Sequence, residues 1–163
     1  IARKRIVTLG KRDGDVLRSR MSPKRGELLD LFLDLVHFAS VFPMKRLTLE
    51  FVLIEAEETR IDRDPPPRRR GKKYIALDQS LVQVLDSVQF CTTGQLLGSV
   101  PFHALPNPFD TAELAAALQR PRWFAQKVAY CLRHTGATRL AGKRGNSQLY
   151  RIPPRFRKLH HAA

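Results

Sequence analysis

Three consecutive prolines, Pro65-Pro66-Pro67, divide two stretches of extended character. Proline fixes φ and supplies no N–H, so such a run fits neither a helix interior nor a central strand. Asp62–Pro67 is therefore a loop. Upstream, Leu47, Leu49, Phe51, Leu53 and Glu55 alternate with Thr48, Glu50, Val52 and Ile54, which predicts a strand from Leu47 to Ile61. Downstream, Tyr74-Ile75-Ala76-Leu77 reads as a second strand. The two are expected to form a hairpin with a stiff tip, charged by Arg68-Arg69-Arg70-Gly71-Lys72-Lys73. That run reads either as a phosphate contact or as a solvated tip, and the tip position with its glycine favours solvation.

The flanking segments follow from local signals. Ile6-Val7-Thr8-Leu9 alternates weakly and predicts one edge strand, followed by a loop at Gly10 and Asp13-Gly14. Ser22-Pro23 marks a helix start, with a hydroxyl to cap and a proline in the first turn. Leu28, Leu29, Phe32, Leu35, Val36 and Ala39 then recur at helical spacing, and Pro43 closes the helix. Asp78 is a cap for a helix carrying Leu81, Val82, Val84, Leu85 and Val88. A short helix over Thr92–Val100 and a linker over Pro101–Pro108 complete the middle. The expected architecture is α+β: an N-terminal helix on a small antiparallel sheet or hairpin (1–77), then a C-terminal winged helix-turn-helix with a basic tail (78–163).

The C-terminal reading rests on consecutive signals. Asp110 with Glu113 three residues on is a capping box, and Phe109 can staple to Leu114. Gln119-Arg120-Pro121-Arg122 breaks this helix, and a second runs to about Thr135, where Gly136 is the left-handed terminator. Ala137–Leu140 and Ser147–Ile152 are extended, with Gly142–Asn146 as a hairpin tip. Phe124, Val128, Cys131 and Leu132 share one face of the second helix and are expected in the core. Arg122, Trp123, Gln126, Lys127, Tyr130 and Arg133 share another. Those residue types contact phosphates, hydrogen-bond base edges and make apolar base contacts. Lys143 and Arg144 at the hairpin tip, Arg139 and Arg151 on its arms, and Arg155, Arg157 and Lys158 in the tail extend the basic surface. The bland alternative packs Trp123 and Tyr130 on the preceding helix and leaves the charges solvated.

The charge balance supports the same reading. Of the 29 basic and 15 acidic residues, 11 basic and 2 acidic fall between Asp110 and the end. A net charge of +14, concentrated at one end, is what a polyanion-binding module carries. At 163 residues the chain can bury one core or two small ones. No apolar run approaches the roughly 18 residues of a membrane span. Ile1-Ala2-Arg3-Lys4-Arg5 has neither Met nor an apolar run behind it, so a signal peptide is not expected and the start reads as the cut edge of a longer chain. Cys91 and Cys131 form no metal or disulfide pattern and are expected as reduced, buried thiols in a cytoplasmic protein.

From Asp110 to Ile152 the chain resembles the winged-helix class, which also contains protein-binding members. More narrowly, it resembles an uncharacterised family of bacterial proteins. The matching pieces are Ser22-Pro23-Lys24-Arg25-Gly26 with Leu31-Phe32, then Leu47-Thr48-Leu49-Glu50 and Arg68-Arg69-Arg70-Gly71. To these add Gln126-Lys127-Val128-Ala129-Tyr130-Cys131-Leu132-Arg133 and Gly142-Lys143-Arg144-Gly145-Asn146 with Leu149-Tyr150-Arg151. The resemblance implies that longer members carry an upstream segment like a restriction-endonuclease-type nuclease core. It places no catalytic residue in this sequence.

The residues themselves agree with that placement. Glu50, Glu55, Glu57 and Glu58 lack the strand lysine that a metal-dependent nuclease needs, and are expected to pair with Arg68–Lys73. His37, His103, His134, His160 and His161 show no metal-ligand spacing, and no cofactor is implied. The leading expectation is binding of double-stranded DNA. A protein-interaction module, docking a protein or nuclease-like neighbour through the Leu28–Ala39 helix, is the alternative. RNA is a third reading that net charge does not separate from DNA.

Overall fold

The computed structural model describes residues 1–11, 13–66 and 71–157, with Arg157 as backbone alone. The Arg68–Arg70 part of the expected charged tip, Lys158 and the His160-His161 pair lie outside the described residues. The chain divides into two compact units. Unit 1 comprises Ile1–Glu27 and Phe51–Val88, and unit 2 comprises Leu28–Glu50 and Gln89–Ala163.

Unit 1 is a four-stranded mixed sheet in the order β2-β1-β3-β4. Its strands are β1 (Arg3–Leu9), β2 (Val16–Met21), β3 (Leu49–Asp62) and β4 (Tyr74–Phe90). β2 returns antiparallel to β1, with Arg5 opposite Met21. β1 then runs parallel to β3, with Ile6 opposite Glu58. The Ile6–Leu9 signal is therefore a central strand, with most of its core on Ile6, Val7 and Thr8. Between β3 and β4 the Arg63 N–H is donated to the Lys73 carbonyl at 2.8 Å.

The expected helix after Asp78 is absent, because Tyr74–Phe90 is one 17-residue strand. Leu81, Val82, Val84, Leu85 and Val88 satisfy helical spacing, but Val is β-branched and stiff in a helix. Leu77, Gln79, Leu81, Gln83 and Leu85 also alternate at period 2, and β3 supplies a long strand to pair with. The non-local ladder overrides the local helix signal.

Unit 2 carries the helices. Leu28–Asp30 forms one 3-10 turn leading into α1 (Leu31–Leu35), so the helix expected from Ser22 to Ala39 is only a short segment. Its apolar side chains Leu31, Phe32 and Leu35, with Ala39 and Phe42 beyond, are buried in this unit. The Phe32 carbonyl accepts from the Cys131 thiol at 3.8 Å. After α2 (Thr93–Gly98), capped by Thr92, come α3 (Thr111–Leu118), α4 (Arg122–His134), the hairpin β5 (Arg139–Arg144) and β6 (Ser147–Arg151), and α5 (Pro154–Arg157).

Among the described residues strand outweighs helix, 37% against 27%. The expected fold class, an N-terminal helix on a small antiparallel hairpin followed by a winged helix-turn-helix, is thereby overturned. In its place stand a four-stranded mixed sheet of β1, β2, β3 and β4 and a two-stranded hairpin near the C-terminus. The cause is the parallel β1–β3 pairing, which local spacing does not show, and the extended β4, whose spacing fits helix and strand alike.

Two smaller expectations also change. Cys91 is exposed, with its sulfur 3.5 Å from the Thr48 hydroxyl, while Cys131 is buried. The acidic residues of β3 are paired mainly by β1: Lys4 Nζ meets Glu58 at 2.7 Å and Arg5 meets Glu57 at 3.9 Å. Glu55 accepts from Gln83 at 3.0 Å. The parallel register, with Arg5 opposite Glu57, brings these charges together.

Candidate nucleic-acid interface

The surface of interest is built on α3. Asp110 accepts the N–H groups of Ala112 and Glu113 at 2.8 and 2.9 Å, and Glu113 returns an acceptor to the Asp110 N–H at 2.8 Å. This is the capping box that the sequence predicts. The helix ends on Gln119, held at φ +52, where the Gln119 and Arg120 N–H groups bond back to the Ala116 and Ala115 carbonyls. A left-handed residue at a helix end satisfies carbonyls that would otherwise be orphaned. Pro121 then enters α4 with its φ already near the helical value.

α4 separates its side chains by face. Phe124, Ala125, Val128, Ala129, Cys131 and Leu132 are buried. Arg122, Trp123, Gln126, Tyr130 and Arg133 are exposed, with Lys127 half-buried. Trp123 is 55% and Tyr130 44% exposed, so neither is packed away as the bland reading had it. Successive residues turn about 100° along a helix, so the exposed set falls within one continuous arc. His134 joins that face, with its ring 4.1 Å from the Tyr130 ring. The four-residue spacing of Tyr130 and His134 is the sequence signal for this addition. His134 also lies in the last turn, where a cation suits the helix dipole.

Gly136, at φ +77, redirects the chain into the hairpin. β6 is fixed on its outer side: Phe109 and Tyr150 exchange backbone hydrogen bonds of 2.9 and 2.7 Å, and their rings stack at 5.8 Å. Asn107 does the same for Ile152, accepting its N–H at 3.0 Å and donating to its carbonyl at 3.3 Å. The tip turns at Gly145, φ +59.

The structure divides the expected site residues into two sets. Arg122 donates to Thr111 at 3.4 Å and to Ser147 at 3.3 Å, tying α4 to both α3 and the hairpin. Arg144 donates to Glu113 at 2.9 Å and lies 3.9 Å from Asp110. Its guanidinium pKa is raised, first by the Glu113 hydrogen bond and then by that residue's charge. Arg122 and Arg144 thus organise the hairpin, a role that sequence reasoning missed because their partners are 11 and 31 residues away.

The second set is unpaired. The side chains of Lys127, Arg133, Arg139, Lys143 and Arg151 make no ion pair or hydrogen bond among the described residues. No Asp or Glu occurs after Glu113, so this stretch supplies no acid of its own to neutralise them. Arg139 and Arg151 face each other directly across the hairpin. Like charges in that position repel. They line a shallow cavity of about 310 Å³ with Leu140, Ala141, Pro153 and Pro154. In the tail, Arg155 donates to the Gly136 carbonyl at 3.3 Å and lies over the Phe156 ring.

Among the described residues no group of three or more His, Cys, Asp or Glu gathers where it could hold a metal ion. No helix among them is long and apolar enough to cross a membrane.

The molecule is defined by a mixed-sheet unit and a helical unit that ends in a basic hairpin. Comparison places it more narrowly. The chain belongs to the family described as "Domain of unknown function (DUF8091)", which matches residues 1–91. It is also similar to an "Uncharacterized protein" of Treponema pallidum (strain Nichols), 27% identical over 154 residues. That match covers 94% of this chain and 60% of the relative, so the chain spans under two thirds of the relative's length. No solved structure matches it.

Proposed function

We propose that unit 2 binds double-stranded DNA through the exposed face of α4 and the hairpin that follows it. The observation that carries this reading is the unpaired basic set on an acid-free segment, continuous with exposed Trp123, Gln126 and Tyr130. Docking would lay α4 in the major groove, which admits an α-helix, with the hairpin tip on the adjacent backbone. Gln126 has the donors and acceptors to read base edges, and Trp123 offers an apolar contact. Lys127, Arg133, Lys143 and the Arg139–Arg151 pair neutralise phosphates. Arg122 and Arg144 hold the two surfaces in register with each other. In a longer protein this unit would be the DNA-recruiting part of a nuclease-like or regulatory assembly.

The protein-docking alternative rests on the Leu28–Ala39 stretch, and the burial of Leu31, Phe32 and Leu35 weighs toward the DNA reading. The test is Lys127→Glu, assayed for duplex binding alongside far-ultraviolet circular dichroism. The expected result is a folded protein whose affinity falls more than tenfold. A folded variant with unchanged affinity would remove α4 from the interface.

A further inference from the structure

β4 is the outer strand of its sheet among the described residues, and it is unlike the other edge. β2 at the opposite edge has six residues and carries Arg18 and Arg20. Short length and basic side chains are the usual protection of an exposed edge. β4 has 17 residues, and its only charged side chains are Asp78 and Asp86. Between those acids every residue is exposed, including Leu81 at 60%, Val82 at 50%, Val84 at 56% and Leu85 at 37%. Ile75 and Leu77 extend the apolar strip toward the turn, at 45% and 54%.

The strand is also symmetric in composition. Along one face it reads Leu77, Gln79, Leu81, Gln83, Leu85, which is the same sequence in either direction about Leu81. A two-fold interface requires a surface complementary to itself. We propose that β4 pairs antiparallel with β4 of a second copy of this chain, with Leu81 on the two-fold axis. Leu77 then faces the second copy's Leu85, Gln79 faces its Gln83, and Leu81 faces its own counterpart. The other face sets Ser80 against Val82 and Asp78 against Val84. Charge disfavours the neighbouring register: centring the pair one residue later, on Val82, would oppose Asp78 directly to Asp86, a destabilising like-charge pair.

The area is sufficient for a specific contact. Residues 74–88 pair symmetrically about Leu81 and span about 50 Å at roughly 3.4 Å per residue. A strip of that length and about 10 Å deep covers roughly 500 Å² per copy, reaching the threshold of about 1,000 Å² in total. The proposal is independent of DNA binding, since it uses only unit 1.

Sedimentation of the chain at tens of micromolar tests it together with disulfide trapping in a Cys91→Ser background. The wild type is expected to be dimeric, and Leu81→Lys, which places two ammonium groups at the axis, monomeric with unchanged circular dichroism. Leu81→Cys should oxidise to a covalent dimer, because directly opposed residues lie about 4.5–5.5 Å apart at Cα. Leu77→Cys should not, because in the proposed register its two copies are about 27 Å apart. Mixing Leu77→Cys with Leu85→Cys should restore the cross-link. A monomeric wild type, or Leu77→Cys cross-linking as readily as Leu81→Cys, would overturn the proposal.

Discussion

Replacing Asp110 by alanine tests whether the capping box organises the basic unit. The substitution removes the acceptor for the Ala112 and Glu113 N–H groups and one of the two acids beside Arg144. Loss of an N-cap costs about 1 kcal/mol and reaches about 2 where the cap is well engaged. Asp110 is buried and accepts two short hydrogen bonds, which places the expected loss near 1.5 kcal/mol. For a unit of roughly 100 residues that is a fall of about 6–12 °C in Tm.

The loss should depend on pH. The Glu113 N–H is the main cause holding the Asp110 carboxyl below its ordinary pKa. Burial opposes it, while the Ala112 N–H and the Arg144 and Arg122 charges assist. A group whose folded pKa is depressed contributes stability above its unfolded pKa, about 3.9 for Asp, and loses it as pH falls through the folded value. Urea denaturation at pH 7, 5, 4 and 3 should therefore show a constant gap between wild type and Asp110→Ala down to about pH 5 that narrows below about pH 4. Asp110→Asn keeps a capping oxygen and should recover most of the loss at pH 7. A gap under about 0.3 kcal/mol at pH 7, or one unchanged at pH 3, would refute the reasoning.

Two further outcomes are expected. Glu58→Ala should destabilise unit 1 by about 1–3 kcal/mol, because it strips the 2.7 Å partner from part-buried Lys4, and denaturant unfolding of the variant reads this directly. An aromatic disulfide reagent at pH 8 should label Cys91 rapidly and Cys131 only on unfolding, since burial pushes the Cys131 thiol up to about 12. Equal labelling rates in the folded protein would contradict the buried placement.

Where the sequence was legible, the signals were short-range and chemically specific. Asp110 with Glu113 marks a helix start through bonds two and three residues apart, and Gly136 and Gly145 mark turns through the sign of φ. The inner and outer faces of α4 follow from the helical period alone. β4 was misread because an apolar strand exposed on both faces satisfies the helical period nearly as well as period 2. The parallel pairing of β1 with β3 joins segments about 50 residues apart and leaves no local mark. The same distance hides ion pairs: Lys4 with Glu58 and Arg144 with Glu113 depend on register, so the sequence showed charges without their partners. The fold was thus legible in its C-terminal elements and in the strands β1 and β3, but not in the length of β4 or in the parallel pairing. The candidate site was legible as a face of α4, but not in which arginines are committed within the protein.

The central claim is that the five unpaired cations meet phosphates. It is tested most directly by titrating salt against binding to a short random-sequence duplex, with single-stranded RNA in parallel. If Lys127, Arg133, Arg139, Lys143 and Arg151 each neutralise one phosphate, log K against log salt has a slope of about −4.5. Affinity then falls roughly 500-fold between 50 and 200 mM salt. Lys143→Ala leaves the hairpin's Arg144 anchor in place and should reduce the slope by about 0.9, with duplex preferred over RNA. No duplex binding at low salt, or a slope that Lys143→Ala leaves unchanged, would contradict the account.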